Sequence, residues 1–154
     1  MKVPDPGDAS GADGLTITRV FDASRERVWR EWTEPERFAD WFGGRQAHVP
    51  PSSVSMDVRP GGSWRLAMHH AGVESRWEGV YREVVEPERL VMTFSDQPGE
   101  EAHELVTVEF IDLGDGRTEM RFEQRGTLSR DLYEQSVEGW SLFLHRLAER
   151  LDGA

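Results

Sequence analysis

The stretch Ser129–Leu151, SRDLYEQSVEGWSLFLHRLAERL, decides how the rest of the chain is read. Leu132, Ser136, Trp140, Phe143, Leu144, Leu147 and Leu151 recur at spacings of three and four, which on a helix makes one broad apolar stripe. Ser129 suits the N-cap and Asp131 the positive end of the helix dipole, while Arg146 and Arg150 suit the negative end. Such a helix is roughly 35 Å long at about 1.5 Å per residue, enough to cross a sheet of six or seven strands. A stripe that broad must be buried against something.

The partner is legible upstream. Leu15 to Phe21 (LTITRVF) is rich in β-branched residues and reads as a first strand. Val54 to Val58, Ser63 to His69, Glu74 to Val85, Arg89 to Ser95, His103 to Leu113 and Arg117 to Arg125 follow in hairpin order. Alternation puts Trp64, Leu66 and Met68 on one face, then Trp77, Gly79 and Tyr81, then Leu90, Met92 and Phe94. Val106, Val108 and Phe110 continue it, as do Met120, Phe122 and Gln124. The turns are Arg59-Pro60-Gly61-Gly62, with proline and glycine at the central positions of type II, then Ala71-Gly72, Glu86-Pro87-Glu88 and Gly114-Asp115-Gly116. Each strand has one apolar and one charged face, as in an antiparallel sheet covered on one side.

Between the first two strands lies VWREWTEPERFADWFGG, residues 28–44, with three of the six tryptophans. Helical spacing puts Val28, Trp29 and Trp32 together and sends Arg30 and Glu31 to the other side. Thr33-Glu34-Pro35-Glu36 reads as a capping box that ends one helix and starts a second, carrying Phe38, Trp41 and Phe42. Gly43-Gly44 then allows a left-handed cap. The expected fold is therefore α+β: a curved antiparallel sheet of six to seven strands around a long C-terminal helix, with two short helices after strand 1.

Composition narrows the function classes. The chain has 154 residues, enough for one domain over 15–154 behind a leader of Pro, Gly, Asp and Ala, residues 1–14, expected to be disordered. No cysteine is present, which removes disulfides, thiolate metal sites and a cysteine nucleophile. No apolar run reaches the roughly 20 residues of a membrane span and no secretory signal opens the chain, so a cytoplasmic protein is expected. The net charge of −11, with no basic stripe, disfavours nucleic acid and anionic membranes as partners.

Catalytic patterns are sparse. No HExxH or comparable spacing joins the five histidines, His48, His69, His70, His103 and His145, and no metal or other cofactor is expected. No serine sits in a nucleophile elbow, neither Gly43-Gly44 nor Gly61-Gly62 opens a helix after a strand, and Glu100-Glu101 reads as a wet loop. Glu83 shares parity with Trp77 and Tyr81 and could face inward as a base, unless a bulge or strand end turns it to solvent. Against this stands an aromatic set on the inward faces. Trp41, Phe42, Trp64, Leu66, Met68, Trp77, Tyr81, Met92, Phe94, Phe110, Met120, Phe122, Trp140 and Phe143 either fill a cavity or line it, with Gln124, Tyr81 and the indoles of Trp77 and Trp140 as polar handles.

These segments resemble a known family. TRVFDASRERVWREWTEPERFADWFG (Thr18 to Gly43), MDVRPGGSWRLAM (Met56 to Met68), WEGVYREVVEPERLVMTF (Trp77 to Phe94), LVTVEF (Leu105 to Phe110) and EGWSLFLHRLAERL (Glu138 to Leu151) are similar, in the same order, to the START-like (SRPBCC, birch-pollen-allergen-like) helix-grip superfamily. The similar branch is named for the C-terminal domain of the activator of heat-shock-protein-90 ATPase. The resemblance implies a ligand cavity between sheet and helix, and it makes Val28, Trp29 and Trp32 packing residues. Trp41 and Phe42 are left as the expected rim, with Trp140 opposite. Superfamily members include lipid carriers, polyketide cyclases, a self-resistance protein and co-chaperone domains, so the fold alone does not choose among activities.

The leading expectation is a non-catalytic binder of a hydrophobic or aromatic small molecule. A cyclase or hydrolase using Tyr81, Gln124 or Glu83 is the alternative from the enzyme class. A co-chaperone-like interaction module is the third, with less to support it because the sequence lacks the N-terminal domain of the eukaryotic co-chaperone. A homodimer through sheet edges or Trp-bearing surfaces is left open.

Overall fold

The computed structural model describes residues 9–10, 14–97 and 104–152. Its strands are β1 (Ala9–Ser10), β2 (Gly14–Phe21), β3 (Ser55–Met56), β4 (Ser63–His70), β5 (Val73–Val85), β6 (Arg89–Phe94), β7 (Glu104–Gly114) and β8 (Arg117–Arg125). Its helices are α1 (Arg25–Thr33), α2 (Pro35–Trp41) and α3 (Arg130–Asp152), with a single 3₁₀ turn at Pro51–Ser53. The strands form one antiparallel sheet in the order β1-β2-β8-β7-β6-β5-β4-β3. Six long strands are flanked by two edge strands of two residues each. α3 lies across the apolar face, packed on β2 and against α1 and α2. The expected α+β helix grip is the observed one.

Most of the leader and the loop residues 98–103, with Glu100, Glu101 and His103, lie outside the described residues. Of the leader, Ala9 and Ser10 pair with Thr16 and Leu15, adding an edge strand where no periodicity pointed to one.

The sheet's hairpins close as their sequences dictate. Gly62 N–H donates to Arg59 O at 2.8 Å across the Pro60-Gly61 turn. In β5 a bulge falls between Tyr81 and Glu83, which bends the strand and breaks its parity. Glu83 therefore leaves the apolar face; it is exposed and accepts from Arg89 Nε at 2.9 Å. Trp64 lies directly across from Gly79, and a Cβ on Gly79 would stand 2.4 Å from the indole nitrogen and 1.9 Å from Thr93 O. The missing side chain lets the Trp64 N–H reach Thr93 O at 3.1 Å.

The helices differ from expectation in two places. Ser24 caps α1 by accepting from Arg27 N–H, but no capping box forms at its other end. Thr33 is still helical, its hydroxyl donates back to Trp29 O at 2.9 Å, and Glu34 occupies the cap of α2 without a capping bond, its carboxylate accepting instead from Arg37 Nε at 2.9 Å. Secondly, Glu31 does not face water. It is buried with Val28, Trp29 and Trp32, and both its oxygens accept from Arg150 of α3, at 2.6 and 3.1 Å, with Arg37 at 3.5 Å. Gly43 and Gly44 adopt the left-handed φ angles (93° and 73°) expected of a helix stop.

The buried stripe of α3 follows the expected spacing but starts at Tyr133 and not at Leu132. Tyr133, Trp140, Leu144, Leu147 and Leu151 are buried, whereas Leu132 is 45% exposed. Leu132, Ser136, Gly139 and Phe143 form a second, neighbouring ridge, and that ridge borders open space between sheet and helix.

Candidate functional site

Beside α3, where the ends of β5, β6, β7 and β8 meet it, lies a cleft of about 460 Å³. Its sheet side carries Trp77, Phe94, Ser95, Asp96, Gln97, Glu104 and Gln124; its helix side carries Leu132, Gln135, Ser136, Gly139, Trp140 and Phe143; Thr127 and Leu128 connect the two. Four rings make its apolar wall as a continuous arc. Trp77 and Phe94 have centroids 5.0 Å apart, Phe94 and Trp140 5.3 Å, Trp140 and Phe143 5.4 Å. Gly139 contributes space, because a Cβ built there meets nothing within 4 Å.

A buried polar chain runs along the inner end of the cleft. Trp140 Nε1–H donates to Gln124 Oε1 at 2.9 Å, and Gln124 Nε2–H donates to Glu104 Oε1 at 2.8 Å. Tyr133 Oη–H donates to the same oxygen at 2.9 Å, and Thr127 N–H donates to Glu104 Oε2 at 2.8 Å. This pattern fixes the orientation of the Gln124 amide, since only one end of it can serve each neighbour. Gln124 is thus held from both sides as a rigid element of the wall.

Of the residues singled out from sequence, Trp77, Phe94, Gln124, Trp140 and Phe143 come together here. Met68 and Phe143 border a second cleft of about 510 Å³ with Gly43, Gly44, Leu142, Arg45, His70, His145, Arg146 and Glu149. Apart from Met68 and Gly44 its lining is exposed or half-buried, and none of its polar side chains is buried. The others fill the core: Trp41, Phe42, Trp64, Leu66, Tyr81, Met92, Phe110, Met120 and Phe122 are all buried.

Trp41 and Phe42 in particular do not form a rim. Trp41 is wholly enclosed, its N–H donating to Glu31 O at 2.8 Å. Phe42 stands behind the arc, with ring centroids 5.0 Å from Phe143 and 5.9 Å from both Trp77 and Trp140. It braces the wall that a ligand would touch.

The proposed proton handlers are not assembled. Tyr81 is in the core, away from the cleft, and burial, reinforced by the charge of Asp57, pushes its hydroxyl far above the ordinary tyrosine range. Glu83 is on the outer face, and Gln124 does not titrate. His48, His69, His70 and His145 are exposed. Among the described residues no group of His, Asp and Glu is placed to hold a metal ion.

Glu104 is the residue that sequence reading missed. Its signal was present: Glu104 lies in phase with Val106, Val108 and Phe110, on the inward face of β7, so alternation alone places this carboxylate inside.

A sheet closed on a long C-terminal helix, with an aromatic cleft and a buried polar relay between them, defines a helix-grip domain. The chain belongs to the family of activator of Hsp90 ATPase homolog 1-like proteins, whose model matches residues 22–152. A crystal structure from Chromobacterium violaceum is 26% identical, covering 90% of this chain and 96% of that one with a TM-score of 0.78. One from Nitrosomonas europaea is 25% identical, covering 92% and 95% with a TM-score of 0.79. A Staphylococcus aureus protein of unknown function, 21% identical over 97% of this chain and 98% of its own, shares the fold with a TM-score of 0.78. No curated protein matches the chain. Among the described residues no helix is long and apolar enough to cross a membrane.

Proposed function

We propose that residues 15–154 act as one domain that binds a hydrophobic or aromatic small molecule in the cleft between α3 and the ends of β5 to β8. The observation that carries this reading is the arc of Trp77, Phe94, Trp140 and Phe143 around about 460 Å³ of open space, beside a fixed polar relay. Ligand sites are mostly apolar with a few placed polar groups, and this wall has that composition. Gly139 supports the same reading. Glycine inside a helix costs roughly 1 kcal/mol relative to alanine, and no neighbouring atom requires it, so its effect is to keep the cleft open.

The test uses that glycine. Phenylnaphthylamine, a neutral aromatic probe, is titrated into the wild type and into Gly139→Leu while probe and tryptophan emission are followed. Saturable binding is expected in the wild type and its loss in Gly139→Leu, with the melting temperature of the variant maintained or raised. If the variant binds the probe as the wild type does, the cleft is not the site.

A further inference from the structure

Among the described residues two carboxylates are deeply buried, and they are treated differently. Glu31 has Arg150 and Arg37 as counterions. Glu104, nine-tenths buried, accepts among the described residues only from neutral groups: the Gln124 amide, the Tyr133 hydroxyl and the Thr127 N–H. None of the described residues lining the cleft beside it is Lys, Arg or His, whereas Asp96 adds a second acidic side chain. Buried carboxylates are almost always paired with a cation, because neutral donors satisfy the lone pairs without balancing the charge. A carboxylate offers on the order of four acceptor positions, and three are used. Among the described residues Glu104 thus keeps one open acceptor position and has no cationic partner, at the inner end of an aromatic arc.

We propose that the cleft takes a cationic ligand, a hydrophobic or aromatic amine, and discriminates against carboxylate-bearing ligands of the same shape. This deepens the binding reading above and rests on it. The ammonium would meet Glu104, while the faces of Trp77, Phe94, Trp140 and Phe143 attract a cation through their ring quadrupoles. An anion would meet Glu104 and Asp96 with no cation to offset them. It would also find the indole donors engaged, Trp140 on Gln124 and Trp77 on Ser75 Oγ at 3.0 Å. Discrimination therefore comes from repulsion as well as attraction.

Three ligands of matched shape separate the ideas: naphthylmethylamine, naphthylmethanol and naphthoate, each used to displace phenylnaphthylamine from the intact chain at neutral pH. The amine is expected to bind about tenfold tighter than the alcohol, and naphthoate about tenfold weaker than it, a spread typical of one well-placed charge. Added salt should weaken the amine and leave the alcohol unchanged. Glu104→Gln should compress the order. Should that variant fail to fold, Asp96→Asn, at an exposed position, should still narrow the gap between amine and naphthoate. Equal displacement by all three, tightest binding by naphthoate, or an amine preference unchanged by salt and by the soluble acid variants overturns the charge selection and leaves the cleft reading standing. Failure of phenylnaphthylamine and all three ligands to bind overturns the cleft reading itself.

Discussion

The two ends of the sheet–helix interface are built from the same kind of side chain and end in opposite states. Under α1 and α2, Trp32 and Trp41 meet edge to face with centroids 4.8 Å apart, and Phe38 and Phe42 stack 5.0 Å apart, with no residue of the four more than 2% exposed. Beyond α2, Trp77, Phe94 and Phe143 make ring contacts of similar length yet are only half-buried, and open space lies before them. The difference is a layer: where the two short helices cover the sheet the rings become core, and where they stop the rings become a wall. The polar groups follow the same division. The Trp41 indole is tied off on a backbone carbonyl, whereas the Trp140 indole begins a relay of side chains that ends at a carboxylate with no cationic partner among the described residues.

That contrast can be broken most severely at the closed end. Trp41→Ala should cost about 3–5 kcal/mol in urea unfolding, as expected for deleting a fully buried indole, while Trp77→Ala should cost less than about 1.5 kcal/mol and weaken probe binding instead. Equal losses from the two substitutions would mean that both ends are core. Next in size, Arg150→Ala should cost about 2 kcal/mol by stranding Glu31. Loss of a fully buried partner would cost more, but Arg37 remains within 3.5 Å and Arg150 is itself a fifth exposed. The same variant should leave probe binding unaltered.

Tyr81 sharpens the contrast by pH. Among the described residues its buried hydroxyl has no hydrogen-bond partner, so Tyr81→Phe should be neutral or should stabilise by up to about 1 kcal/mol at neutral pH. Burial raises the folded-state pKa above the ordinary value of 10.0, so above that pH the unfolded chain loses a proton that the folded one keeps. Wild-type stability should therefore fall as pH rises past 10.0, and the part of that fall due to Tyr81 should vanish in Tyr81→Phe. Urea midpoints measured across the alkaline range check it. The smallest effect belongs to the open end: Gly139→Ala should stabilise by roughly 0.5–1 kcal/mol through helix propensity alone, since its methyl meets only the cleft.

Much of this was legible before any coordinates. Alternation located the long strands, the turn residues located their hairpins, and the spacing in the last segment located the covering helix. The capping box was a misreading because Thr33 can serve either as a cap or as the last helical residue bonded back to Trp29, and local sequence does not choose between them. Glu31 was assigned to solvent because helical periodicity does not reveal an arginine arriving from 119 residues away. The start of the α3 stripe at Tyr133 in place of Leu132 has a similar cause. Leu132 and Tyr133 are both apolar enough to start it, and only the acceptor Glu104 on β7 selects Tyr133.

By itself the sequence determined the element order and the one-sided sheet, because both follow from period and turn chemistry, which are local. It also determined that a ligand site, if present, would be aromatic. Which rings line space and which fill it was decided only by the tertiary structure, since that depends on where α2 ends relative to β5 and β6. The bulge at Tyr81 and Glu83 turned a candidate base outward, and the meeting of β7, β8 and α3 joined Glu104, Gln124, Tyr133 and Trp140. Contacts between residues so far apart in the chain have no local signature, and the candidate site is made almost wholly of them.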